Sequence, residues 1–347
     1  MRVGIVTLPL HTNYGGILQA WALQTAIERM GHESSHVFRH LLGPLILYKD
    51  MTDAEIAAFQ RHTSRFIDRY VRCDETPLGA IAQDRYDAFV VGSDQIWRNR
   101  YTDFFHIGLA NAFLRFADGW SVRRIAYAPS FGIDTWEAPE SEIPVCSALL
   151  GKFDAVSCRE ASGVRICRDV LGVEAALVPD PTLLLDRADY AALVDAGETE
   201  APDGDLMAYV LDRDEEKDRL VGAVAARFGL RPFLMNDHPD GEGTRVQPAV
   251  EQWLRSIRDA KVVVTDSFHA TVFSILFGKP FVVTGNQKRG LSRIESLLKA
   301  LGLEDHLAMA SADFDPGRDY GVPAAAYGKL ERLRRTGTDF LKEALRP

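Results

Sequence analysis

Short β-branched runs alternate with helical hydrophobic periods along nearly the whole chain, and this alternation limits the possible folds more than any other feature. Residues 2–7 form a compact apolar run closed by Pro9, the pattern of a strand buried on both faces. From Gly16 onward Ile17, Ala20, Trp21, Leu23, Ile27 and Met30 recur at helical spacing until Gly31 stops them, completing a βα unit. Further strands are predicted at residues 35–38, 88–91, 124–128, 155–158 and 176–178, and helices at 53–72 and 161–171. A parallel sheet follows, because parallel neighbours need helical crossovers.

Residues 186–205 interrupt this rhythm with a short helix, then Ala196-Gly197-Glu198-Thr199-Glu200 and the acidic turn Pro202-Asp203-Gly204-Asp205, which reads as an interdomain linker. Beyond it strands at 206–211, 232–235, 261–265 and 280–283 alternate with helices at 215–228, 250–258 and 268–277. The predicted fold class is α/β, with two Rossmann-like domains facing a cleft over residues 1–190 and 205–320. A last helical segment, within 321–347, is placed where it can cross back to the first domain.

The 40 basic residues against 49 acidic ones leave a net charge of −9, which argues against nucleic acid as a partner and requires a local cationic pocket for any anionic ligand. No apolar stretch is long enough for a transmembrane segment, and residues 2–8 are too short for a secretory leader. The four cysteines form no CxxC pair, which suits small buried thiols in a cytoplasmic protein. In the last helix Lys329, Arg332, Arg334, Arg335, Lys342 and Arg346 form either a solvated face or a peripheral contact with the inner membrane face that would suit a lipid-linked acceptor.

Ligands of open parallel sheets collect beyond the carboxyl ends of the strands, and the segments that follow these strands are polar. After the first strand Asn13, Tyr14 and Gly15 open a helix, either as a plain βα turn or as a loop offering backbone N–H groups to an anion. Gly92-Ser93-Asp94-Gln95-Ile96-Trp97 follows the 88–91 strand. Asp94 can accept a proton or a sugar hydroxyl and Trp97 can offer a flat face to a sugar ring, unless they are a helix cap and a core tryptophan. Arg159 stands at a strand-to-helix junction, as an anion ligand or a structural ion pair.

The strongest single feature is Thr265-Asp266-Ser267-Phe268-His269, where an apolar strand runs into a capped helix. Its free N–H groups favour an anion, and His269 in the first turn can act as acid or base near neutral pH, the alternative being a buried histidine satisfied by backbone. His32-Glu33-Ser34-Ser35-His36 matches a zinc motif that works only on a helix. Here it falls on a turn and a strand, so no metal site is expected.

Taken together, Asn13-Tyr14-Gly15-Gly16, Val91-Gly92-Ser93-Asp94-Gln95-Ile96-Trp97, Ala126-Tyr127-Ala128-Pro129-Ser130-Phe131-Gly132, Ser157-Cys158-Arg159-Glu160, Pro179-Asp180-Pro181-Thr182 and Thr265-Asp266-Ser267-Phe268-His269 resemble, in order, the polysaccharide pyruvyl transferase family. The resemblance implies a GT-B-like fold, phosphoenolpyruvate as donor substrate with no cofactor, and transfer of pyruvate as a ketal onto two hydroxyls of a sugar acceptor. It implies that Arg159 holds an anionic group of the donor and that His269 is the acid/base residue; on the reading of the residues themselves, Asp94 and Trp97 are placed on the acceptor side. Where many members have a second arginine, two residues before the histidine, this chain has Ser267. Lys288, Arg289 and Arg293, after the next strand, are the nearest cations in sequence to replace it. A nucleotide-sugar glycosyltransferase and a noncatalytic sugar-binding protein are the alternatives.

Overall fold

The structure, a computed structural model, describes residues 1–37, 50–235, 245–286 and 289–346, together with the backbone of 238–239. The chain divides into two compact units, one of Met1–Ile56, Ser64–Leu185 and Leu333–Pro347, the other of Ala57–Thr63 and Asp186–Arg332. Each is α/β and Rossmann-like, built on one parallel sheet.

The elements of the first part of the chain are β1 (Arg2–Val6), α1 (Tyr14–Arg29), β2 (Glu33–His36), α2 (Asp53–Tyr70), β3 (Ala88–Val91), α3 (Asn99–Phe104), α4 (Leu109–Ala112), β4 (Arg123–Ala126), α5 (Ile143–Leu150), β5 (Ala155–Cys158), α6 (Ala161–Asp169) and β6 (Ala176–Leu177). Their strands pair in parallel in the order β2-β1-β3-β4-β5-β6, with Val3 opposite Ala88 and Val6 opposite Val91. β3 is buried along its whole length, as its unbroken apolar run requires. β2 begins two residues before its predicted start, and the predicted end at Phe38 lies outside the described residues.

The remaining elements are α7 (Arg187–Ala196), β7 (Leu206–Tyr209), α8 (Glu215–Phe228), β8 (Pro232–Leu234), β9 (His238–Pro239), β10 (Arg245–Val246), α9 (Val250–Asp259), β11 (Val262–Thr265), α10 (Phe268–Phe277), β12 (Phe281–Thr284), α11 (Ser292–Leu301), β13 (Leu307–Ala308) and α12 (Ala324–Ala344). The second sheet has the order β13-β12-β11-β7-β8, again all parallel, and β9 and β10 form a small antiparallel pair.

The segment read as a linker belongs to the second unit and is partly helical. Asp186 and Asp189 form a capping box at the start of α7, and Tyr190, Leu193 and Val194 are buried, with the Tyr190 ring edge-on to Phe273 at 4.8 Å. A buried apolar stripe makes a short helix part of a core instead of a tether. At the other end Leu341, Ala344 and Leu345 join the core cluster of Val3, Ile5 and Ile125, each fully buried leucine contributing about 1.5–3 kcal/mol. Arg334 donates to the carbonyls of Leu183 and Leu185 at 3.0 Å, so this member of the basic helix face is a docking clamp and is not offered to a membrane.

Candidate functional site

In each sheet the strand order reverses once, between β1 and β3 in the first and between β7 and β11 in the second. Helices leave such neighbours toward opposite faces, which opens a crevice at the strands' carboxyl ends. The two strand-end regions are described in turn.

In the first unit the crevice is bordered by the segments after β1 and β3. Asn13 caps α1 by accepting the Gly16 N–H at 3.2 Å, and Tyr14 and Gly15 behind it are buried. Gln19 donates to Thr7 Oγ1 at 3.1 Å and accepts the Ser93 N–H at 2.9 Å, tying the two segments together. Gly92 has φ +132°, and a Cβ there would run into the Tyr127 carbonyl, so only glycine lets the chain turn so close to β4.

Arg159, at the end of β5, has 1% of its side chain exposed. Its Nη1 donates to Asp180 Oδ2 at 2.5 Å and its Nη2 to Asp94 Oδ1 at 3.4 Å. Burial works against the charge, but the carboxylates of Asp180, Asp94 and Glu160 outweigh it and raise the guanidinium pKa above its ordinary value. Asp180 also accepts from the Thr182 N–H at 3.0 Å and the Thr182 hydroxyl at 2.6 Å, while Ser93 donates to the Ala128 carbonyl at 2.6 Å and reaches Asp180 at 3.4 Å. Arg159, Asp94 and Ser93 thus meet in one buried network whose pivot is Asp180, a residue that reads in sequence as part of a turn.

Trp97 does not serve as a sugar platform. It is 1% exposed, stacks on Phe113 at 4.9 Å with 4° between the planes, and donates Nε1–H to the Ala112 carbonyl at 3.0 Å. The short helix α4, absent from the predicted elements, supplies Ala112 and leads directly into Phe113.

In the second unit Ser267 caps α10, its hydroxyl accepting the Ala270 N–H at 3.4 Å. His269 is buried in the first turn, its ring 5.1 Å from that of Phe268. Asp266 turns away from the helix and accepts the backbone N–H groups of Leu211 at 2.7 Å and Asp212 at 3.2 Å, bridging the ends of β7 and β11. The same carboxylate takes Lys217 Nζ at 3.0 Å and Asn286 Nδ2 at 2.8 Å. Neither Lys217, in a helix with no motif around it, nor Asn286, in the loop that leads to Arg289, stands out in the sequence as a partner of Asp266.

Of the three candidate cations, Lys288 lies outside the described residues. Arg289 binds Asp212 through Nε at 2.7 Å and Nη2 at 3.0 Å. Arg293, on α11, is 7% exposed, lies over the Phe268 ring at 5.7 Å and donates to the Arg289 carbonyl at 2.5 Å. It therefore packs against the residue next to His269. His36 and His32 of the zinc-like motif have separate partners, the Ala20 carbonyl and the amino group of Met1. Among the described residues no group of three or more His, Cys, Asp or Glu side chains could hold a metal, and no helix is long and apolar enough to cross a membrane.

Among solved structures the chain is similar to a putative UDP-N-acetylglucosamine 2-epimerase from Listeria monocytogenes, with 15% identity, 100% of this chain and 91% of that one covered, and a TM-score of 0.49. It is also similar to UGT89C1 of Arabidopsis thaliana, at 12% identity with 99% and 93% covered and a TM-score of 0.47. A third is the E. coli heptosyltransferase WaaC with ADP, at 16% identity with 82% and 87% covered and a TM-score of 0.40. No curated protein matches the chain by sequence. Residues 13–288 match the profile of a transferase family, and by that match the chain belongs to the polysaccharide pyruvyl transferase family.

Proposed function

We propose that the protein transfers the pyruvyl group of phosphoenolpyruvate onto two hydroxyls of a sugar, forming a ketal during synthesis of a cell-surface or exopolysaccharide. One observation carries this reading: within the family match, residues 13–288, the segments of Asn13 and Asp94 and those of Asp212 and His269 follow the strands where each sheet order reverses, and the segment of Arg159 follows a strand of the first sheet at the same carboxyl edge.

In this reaction the methylene carbon of the donor gains a proton, and the neighbouring carbon becomes an oxocarbenium-like centre. One sugar hydroxyl adds there and loses its proton. A second hydroxyl then displaces phosphate, the carbon–oxygen bond to phosphate breaks, and the second proton leaves with the phosphate. His269 is the acid for the first proton, a role that contributes about 10²–10⁴-fold when the acid is well placed. The Ser267-capped start of α10 presents N–H groups to a donor anion.

Asp94 lies farther from Arg159 than Asp180 does, at 3.4 Å against 2.5 Å, so a donor carboxylate competes with it for Nη2. Asp94 displaced in this way is a base for a sugar hydroxyl. Arg289 and Arg293 are the cations assigned to the departing phosphate. Phosphate release from phosphoenolpyruvate, measured with and without a panel of sugars, tests the reading. The expected result is acceptor-dependent release with a product heavier by a pyruvyl ketal, and turnover of a nucleotide sugar in its place would assign glycosyl transfer.

A further inference from the structure

With Trp97 in the core, the rings that cover it lead to another tryptophan. From Phe113 a row runs through Trp97 to Phe131, 5.3 Å further, and on to Trp136, 6.2 Å beyond that. Trp136 is the partly exposed end of this row, and its Nε1 points to the Pro139 carbonyl at 3.4 Å. The indole rests on Phe131, which is 3% exposed, so its base is fixed.

The next residue, Glu137, accepts from Arg98 Nε and Nη2, both at 3.4 Å, and from the Arg100 backbone N–H at 3.1 Å. Arg98 also donates to Gln95 at 3.0 Å and lies 5.5 Å from the centre of the Tyr101 ring, which is partly exposed. Gln95, Arg98 and Tyr101 follow β3, whereas Trp136 and Glu137 follow β4, so both segments leave the carboxyl edge of the first sheet. The Ser130 N–H donates to the Asp94 carbonyl at 2.9 Å and the Trp97 N–H to the Ser130 carbonyl at 3.3 Å, which stitches the aromatic segment to the segment of Asp94.

We infer that Trp136 is the platform on which a pyranose ring of the acceptor stacks, with Glu137 accepting from its hydroxyls. The inference rests on the pyruvyl-transfer reading for the word acceptor only. A pyranose has an apolar C–H face that fits an aromatic plane and a rim of hydroxyls that needs polar partners, and this surface offers both side by side. The charge of Arg98 is already balanced by Glu137, so the patch selects a neutral sugar over a uronic acid or a sugar phosphate.

The test compares wild type, Trp136→Ala and Trp136→Phe in two assays. The first is saturation-transfer NMR with methyl β-D-galactopyranoside, methyl β-D-glucopyranoside and methyl β-D-mannopyranoside. The second is phosphate release from phosphoenolpyruvate across a sugar panel. Trp136→Ala is expected to abolish saturation of the C–H protons of the bound pyranoside and to raise the acceptor KM about tenfold or more. The donor KM should stay at its wild-type value, and Trp136→Phe should recover most of the loss. Turnover with an unchanged acceptor KM in Trp136→Ala overturns the platform and leaves pyruvyl transfer standing. Pyranoside binding that is lost in Trp136→Ala, with no phosphate release from any acceptor, keeps the platform and removes pyruvyl transfer. Absence of both pyranoside binding and turnover overturns the two together.

Discussion

Arg289 grips the carboxylate of Asp212 with two N–H groups, Nε at 2.7 Å and Nη2 at 3.0 Å. These bonds, against the effect of partial burial, hold the Asp212 carboxyl down at about 2, so the pair is ionised at any working pH. Arg289, one of the three cations considered as replacements for the charge missing at Ser267, is therefore already matched, and a phosphate bound there would have to share it. If Arg289 serves the donor, Arg289→Ala raises the donor KM about tenfold with kcat within about twofold, the pattern of lost binding common to ground and transition states. Asp212→Asn, which keeps the cation and loosens its clamp, is expected to move KM less. Steady-state phosphate release measures both, and an unchanged KM in Arg289→Ala would assign the pair to structure alone.

His269→Ala is expected to lower turnover by about 10²–10⁴-fold while leaving the thermal transition near its wild-type position, because α10 keeps its Ser267 cap. Single-turnover phosphate release separates this from slow product release. Wild-type turnover in the variant would remove His269 from the chemistry.

Arg159→Ala is a harsher change than a lost ligand contact. It leaves Asp180, with none of its side chain exposed, and Asp94, with 6% exposed, without their shared cation. Breaking a buried pair from one side costs about 3–5 kcal/mol, and Asp180→Asn in the same chain is expected to restore part of it by removing one stranded charge. Urea unfolding of the single and double variants checks this. A single variant as stable as wild type would show that the network is not what holds these strand ends.

The fold was largely legible in the sequence because its strands are buried on both faces. β3 is a continuous apolar run and β11 and β5 are nearly so, and such runs mark themselves. The boundary at Asp186 was not, since α7 is short and it is long-range contacts, Tyr190 with Phe273 and Asp195 with Arg258, that show where it belongs. At the candidate site, residues next to strand ends were found and their long-range partners were missed. Asp180 meets Arg159 across 21 positions and Lys217 meets Asp266 across 49, separations for which local pattern holds no signal. Of the two readings open for Trp97, sugar platform and core tryptophan, the structure has the second, and α4, which leads into its stacking partner Phe113, is too short to show a period.

His36, half of the zinc-like motif, bears on stability through its protonation. It is 1% exposed, and its Nε2 lies 3.2 Å from the Ala20 carbonyl, which can only accept, so that nitrogen carries the proton in the neutral ring. Burial pushes its pKa down from 6.5 to about 4, and the bond to Ala20 opposes this only in part. Between those two values the unfolded chain binds a proton that the folded chain refuses, so stability rises with pH across that window and falls as pH drops through it. Below about 4 both states are protonated and the loss is complete, on the order of 3 kcal/mol for one fully buried ring. His11, lowered to about 4 chiefly by burial and held up slightly by Asp94, adds a slope of the same sign. Urea midpoints of wild type, His36→Gln and His11→Gln between pH 4 and 7.5 are therefore expected to converge at low pH, each variant having a shallower dependence than wild type. The readout is the slope, which a uniform loss of packing in the variant does not alter. Parallel curves for wild type and His36→Gln would mean that the ring is protonated in the folded chain as readily as in water.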